Sequence, residues 1–167
     1  MGTSDFRKTI KNVVNQLLGV LNMRNRDIIA RRFGLKTGGK ETLEFIGKSY
    51  GITRERIRQI EEASLKILRD HLNKGFNAKI QPFITIASSI VEQTHGIIDE
   101  KELFVKFSGN SKNSATNAAL VFFLMLDSKL KRYAEDDDFH TFWSINVERQ
   151  ADFVNTVNLF IKSFGCS

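Results

Sequence analysis

Apolar positions recur at helical spacing from the start of the chain. Phe6, Ile10, Val13, Val14, Leu17, Leu18 and Leu21 share one side of a helix predicted over Asp5 to Leu21, with Ser4 as its N-cap. A second helix, about Arg24 to Phe33, buries Ile28 and Ile29 and stops at Gly34. The stretch Thr42 to Arg69 then reads as a helix, a tight turn at Tyr50-Gly51-Ile52, and a longer helix capped by Thr53. That last helix runs to about Leu72 without Pro or Gly. Its two sides differ in character. Ile57, Ile60, Ser64, Ile67 and Leu68 form the stripe expected to be buried, and Arg54, Glu55, Arg58, Gln59 and Glu62 fall on the opposite side. In the helix before it, Leu43 and Ile46 give an apolar edge, and Gly47 supplies a small residue for close approach.

Beyond a boundary near residues 73 to 81 the pattern changes. A helix from about Pro82 to Thr94 carries Phe83, Ile84, Ile86, Ala87, Ile90 and Val91 inward, with Pro82 in its first turn. Ile97-Ile98 reads as a short strand, and Asp99 caps a helix through Phe107, with Glu102 completing a capping box. Ala115 to Leu126 is apolar on every side. Lys129 to Ala134 and Phe139 to Ile145 alternate like two strands joined by the acidic turn Glu135-Asp136-Asp137-Asp138, and Val147 to Phe164 forms a last helix that either packs back or makes a homodimer. The fold class is therefore mainly α, with domains at 1–75 and 80–167. The first has four helices; the second is a small α+β unit in winged-helix order, with a two-stranded wing and a C-terminal helix.

Charge sharpens this division. Residues 1–80 hold 17 Lys+Arg against 8 Asp+Glu, and residues 81–167 hold 8 against 11. A basic first half suits phosphate and an acidic second half does not, so the two halves are expected to meet different partners. The lone Cys166 cannot form an internal disulfide, no apolar run is long enough for a bilayer and no signal segment opens the chain, so a reducing cytoplasm is expected and a membrane is not.

No catalytic or cofactor constellation emerges. His71, His95 and His140 lack paired ligand spacing, CxxC is absent, and His140 is expected as a packing residue beside Phe142 and Trp143. The triple Asp136-Asp137-Asp138 lacks further oxygen ligands for a cation. Lys36 to Lys40, KTGGK, is a flexible basic loop without P-loop spacing. No enzyme, metal or cofactor is expected.

The polar face of the long helix is the remaining candidate. Arginine can present a fork to guanine, glutamine can pair with adenine, and glutamate can accept from the cytosine amine. A preceding helix and a three- to four-residue turn make the helix-turn-helix arrangement, whose second helix enters the major groove by its N-terminal residues. Arg54, Glu55, Arg58 and Gln59 are the expected base readers of double-stranded DNA, with Arg56, Lys48, Arg31 and Lys40 at phosphates.

These residues also carry a family resemblance. Arg26 to Ile29, Arg32-Phe33-Gly34-Leu35, Thr42-Leu43-Glu44, Ile46-Gly47, Tyr50 to Glu61 and Leu65 to Arg69 resemble region four of bacterial sigma factors over residues 5 to 72, with departures at Phe45 (usually Glu) and Ser64 (usually Ala). The resemblance implies reading of a promoter element about 35 bases upstream of the start by Arg54, Glu55, Arg58 and Gln59, and contact with the RNA polymerase flap through the apolar side of its helices. More weakly, HGIIDEKEL, LDSKLKRY and DDDFHTFWSI resemble the HARE-type winged-helix module and the amino-terminal domain of the polymerase delta subunit over residues 80 to 147. With no segment resembling promoter-melting machinery, the expectation is a DNA-binding transcription regulator, not a complete sigma factor. The alternative is a polymerase-docking protein that mimics region four.

Overall fold

The computed structural model describes residues 2–134 and 140–145. Four helices come first: α1 (Thr3–Leu18), α2 (Met23–Phe33), α3 (Leu43–Tyr50) and α4 (Arg54–His71). A wide π turn at Leu72–Phe76, kinked at Gly75, joins α4 to α5 (Asn77–Gln93). There follow β1 (Ile97–Asp99), α6 (Glu100–Ser108), α7 (Ala115–Asp127), β2 (Lys131–Tyr133) and β3 (Phe142–Ser144). The strands form one antiparallel sheet in the order β1-β3-β2, with Trp143 of β3 opposite Ile98 on one side and Arg132 on the other. The two late strands are where alternation places them. That β1 joins them on the far side of β3 was not visible in the sequence. The predicted acidic turn, the final helix with its packing-or-dimer alternative, and Cys166 lie outside the described residues.

Most predicted ends coincide with local chemistry, and the exceptions have physical reasons. The α2 chain stops at Gly34 in the left-handed region (φ 67°), and α3 stops at Gly51 in the same way (φ 65°). Asp99 caps α6 by accepting from the backbone N–H groups of Lys101 and Glu102 at 2.9 and 3.1 Å, while the Glu102 carboxylate pairs with Lys106 at 3.7 Å. Ser4 does not cap α1. The extended residue there is Gly2, whose carbonyl already accepts from Asp5 and Phe6 N–H, so Ser4 falls inside the first turn. Nor does α5 begin at Pro82. The helix starts at Asn77, directly after the kink at Gly75, and carries the proline inside it, at the expense of one backbone donor. Gly75 makes the kink between the two helices, with φ 118°, which side chains rarely adopt, so it breaks the helical pattern as the sequence suggests. His140 is exposed and precedes the pleat, since β3 starts only at Phe142.

Two groups of buried side chains hold the chain together. A small one, Ile28, Ile46, Ile57 and Ile60, sits among α2, α3 and α4 and is closed by Leu43, Tyr50 and Ile52. The larger runs from Ile10 of α1 through Phe33, Leu68, Leu72, Phe83 and Phe104 to Phe122 and Trp143, crossing the point where the sequence pattern divides the chain. Its centre is α7, nine of whose thirteen residues are buried, which explains why that helix shows no polar side. Phe122 lies 4.9 Å from Phe33 between ring centroids, and Phe6 packs edge-on against Phe83 and Phe107 at 5.7 and 5.1 Å. Rings that bury large areas in this geometry dominate a core of this size.

A backbone contact adds to the apolar one. A Cβ placed on Gly38 (φ 87°) would lie 2.5 Å from the Ser114 nitrogen and 2.6 Å from its Cα. The Lys36–Lys40 loop, expected to be flexible, is therefore pinned against the residue that caps α7. Near it Glu100 accepts from Arg132 at 2.6 and 2.8 Å and from the Trp143 indole N–H at 2.9 Å, and this raises the Arg132 pKa. No helix of the described residues is long and apolar enough to cross a membrane, and no group of three His, Cys, Asp or Glu among them could hold a metal ion.

Candidate nucleic-acid interface

The candidate face is built from the turn outward. Thr42 caps α3 by accepting from Phe45 N–H at 3.1 Å, and Thr53 caps α4 by accepting from Arg56 N–H at the same distance. Between them Ile52 N–H donates to the Gly47 carbonyl at 3.0 Å. A Cβ on Gly47 would stand 2.7 Å from the Ile52 oxygen, so this position needs glycine for space. The close approach predicted at Gly47 is thus to the carbonyl of the turn. With the turn fixed, Ile57, Ile60, Ser64 and Leu68 of α4 face inward as the periodicity predicts. Ile67 does not: it is 44% exposed, lying at the margin of the stripe. Ser64, fully buried, has a hydroxyl without a partner, an uncommon and costly state.

On the outer side, Arg54, Glu55, Arg58 and Gln59 are all exposed on the first two turns of α4. All but Arg54 enter one hydrogen-bonded belt. Arg58 donates to both Glu55 oxygens at 2.8 and 2.9 Å and, from its other terminal nitrogen, to Glu62. Gln59 donates weakly to Glu55 at 3.5 Å and accepts from Arg56 at 3.1 Å. The hydrogen bonds from Arg58 hold the Glu55 carboxyl below its ordinary value, and Glu55 first, then Glu62, raise the Arg58 guanidinium above its own. A cleft of about 600 Å³ runs beside this face, between the start of α2 at Asn22 to Asn25 and the flank of α4 at Arg56, Gln59 and Ala63.

The four residues expected at phosphates are placed differently from one another. Arg56 is on the α4 face itself. Lys48 is 75% exposed and pairs loosely with Glu44 at 3.2 Å. Arg31 is a brace: it donates to Glu41 at 2.8 Å and to the Ser49 hydroxyl at 2.8 Å, and lies 3.7 Å from Asp27. Lys40 is removed from α4, on the pinned loop. It keeps accessible surface, yet burial of its ammonium first, and the Arg132 charge second, lower its pKa. A second network, absent from the expected set, stiffens the pair of helices. The Tyr50 hydroxyl donates to Asp27 at 2.7 Å, and Lys36 reaches the other oxygen at 3.3 Å. Burial of Asp27 opposes its ionisation, but these two hydrogen bonds prevail and lower its pKa. The i, i+4 spacing of Asp27 and Arg31 was the sequence signal for it.

Comparison with known families is decisive for this part of the chain. The description of sigma-70, region 4 matches residues 17–70. These residues are a sigma-70 region 4 domain. The chain is 45% identical over 60 residues to RNA polymerase sigma factor SigA from a Bacillus species, and 39% identical over 67 residues to the chloroplastic RNA polymerase sigma factor sigF of Arabidopsis thaliana. The matches cover 36% and 40% of this chain but only 16% and 12% of those relatives. The α1 start and everything from the π turn onward lie outside the matched region 4 segment.

Proposed function

We propose that the protein is a non-enzymatic, cytoplasmic transcription regulator that binds double-stranded DNA in a sequence-specific way through its region 4 domain. Arg54, Glu55, Arg58 and Gln59 read base edges, while Arg56 and Lys48 neutralise phosphates. The observation that carries the reading is the orientation of α4. Its capped N-terminal turns project these side chains into solvent while its opposite stripe is locked into the core beneath a glycine-dependent turn. The test is selection of bound sequences from a random duplex library. Enrichment of a common motif is expected, and a pool as diverse after selection as before it would refute base reading.

A second reading, docking on RNA polymerase, draws on the names of the two sigma-factor relatives. The inward stripes of α1, α2 and α4 are buried in the two cores, but Met23, Phe45 and Ile67 remain exposed on the region 4 helices and are the apolar surface such docking would use. Pull-down of core polymerase distinguishes the two: retention that survives loss of DNA binding favours docking. The second half fits a winged-helix module of the HARE or delta-like kind, supported by the order α5, β1, α6, α7, β2, β3 and by the three-stranded sheet.

A further inference from the structure

Glu62 lies one turn beyond the four expected base readers, yet it holds part of the side chain on which they depend. Arg58 has two donating edges. One is taken by the Glu55 carboxylate in a forked pair, and the remaining terminal nitrogen by Glu62. Both carboxylates are well exposed, Glu62 at 66% of its side chain, so neither is needed to satisfy a buried charge and neither contributes much to folding. What they do is local. They engage all three guanidinium nitrogens, using three of the five N–H donors, and they set two negative charges beside it on the exposed face of α4. An arginine in this state gains less from a phosphate than a free one would, because exchanging one carboxylate for another anion is close to even in charge-assisted hydrogen bonds and places Glu62 beside a like charge. A guanine edge offers what a phosphate does not: two neutral acceptors, O6 and N7, matched to the fork, with neighbouring cytosine amines that can donate to the displaced carboxylates.

We propose that Glu62 is a specificity-determining residue of the α4 face, which guards Arg58 against sequence-independent phosphate contacts and releases it only at a base edge. The inference rests on the DNA-reading function proposed above and adds to it a residue outside the reading set.

The test uses the whole protein and the substitution Glu62→Gln, which keeps shape and hydrogen-bonding reach while removing the charge. Binding is titrated on the duplex recovered by selection and on random duplex, over a range of salt. Random-duplex affinity is expected to rise about two- to fivefold, the scale of one exposed ion pair, while selected-duplex affinity changes less. The slope of log affinity against log salt on random duplex should steepen by about 0.9, one additional phosphate contact. Glu102→Gln, which removes the same charge from α6, is the control and should leave the ratio of the two affinities unchanged. If Glu62→Gln shifts both duplexes equally, or matches Glu102→Gln, Glu62 is an ordinary surface charge and the inference falls while DNA reading stands. If the unaltered protein shows no preference between the two duplexes, DNA reading itself falls, and this inference with it.

Discussion

Helices α4 and α7 both end in the same core, but they are written in opposite ways. In α4 the buried positions are a stripe of Ile57, Ile60, Ser64 and Leu68, and the residues across from them are mostly charged or polar. In α7 burial extends over nearly the whole circumference, from Asn117 to Leu126, interrupted only by Met125. A one-sided helix declares which face is available for function. A helix apolar all round declares only that something must surround it, and here that is α1, α2 and α4 on one side and α5, α6 and the sheet on the other. The difference shows why the region 4 half can be assigned from short strings of sequence, whereas the second half is known by its packing.

Substitutions can break this contrast or sharpen it. Truncating the centre of α7 should have the largest effect: Phe122→Ala is expected to cost about 3–5 kcal/mol, as large aromatic deletions in cores do. Because Phe33 rests on that ring, urea unfolding should remain a single transition with an earlier midpoint. Two separated transitions would mean that the halves are energetically independent. On the exposed side of α4, Arg58→Ala should leave the unfolding midpoint almost unchanged and lower affinity for the selected duplex about five- to hundredfold, flattening preference over random DNA. Equal losses on both duplexes would remove Arg58 from the base readers. Lys48→Ala should weaken all duplexes alike, with a salt slope about 0.9 shallower.

Ser64 offers a smaller effect of opposite sign. Its hydroxyl is buried without a partner, so Ser64→Ala should stabilise the protein by about 1 kcal/mol, read as a higher urea midpoint at constant slope. The smallest effect concerns Asp27. Its pKa is lowered in the folded state, so its contribution is complete above the ordinary aspartate range and is lost as pH falls through the lowered value. The gap in melting temperature between the protein and Asp27→Asn should therefore be constant near neutrality and close on acidification below about pH 4, the ordinary aspartate value. A gap that widened on acidification would show that Asp27 is not held ionised by Tyr50 and Lys36.

Much of the candidate face was legible because it depends on near neighbours. Thr53, Gly51 and the period of Ile57, Ile60 and Leu68 each act within a few residues, and so they state their role locally. What escaped depends on residues far away. The brace from Arg31 to Glu41 and Ser49 takes a side chain expected at phosphate into the protein's own framework. Gly38 looked like part of a mobile basic loop because its reason for being small, the Ser114 backbone, lies 76 residues further on. Pro82 suggested a helix start by its usual preference, but α5 begins five residues earlier, at Asn77, just after the kink at Gly75. The α1 cap failed more simply, by two residues, as helix ends often do.

The π turn at Leu72–Phe76 makes length itself a determinant of this protein. The chain bends there at Gly75, whose φ of 118° lies outside helical backbone, and the bend sets the direction in which α5 leaves α4. Adding or deleting one residue between His71 and Asn77 would therefore change the bend that aims α5 and draw Phe83, Ile84 and Ala87 away from the core that they fill, while α4 remained where region 4 holds it. Phe122, seated on Phe33 from the other side, could not follow. The joint between the two halves should thus accept changes of residue, Gly75 excepted, and refuse insertions. It behaves as a spacer of set length, and a chimera that joined this region 4 to a different second half would need the same number of residues at that point.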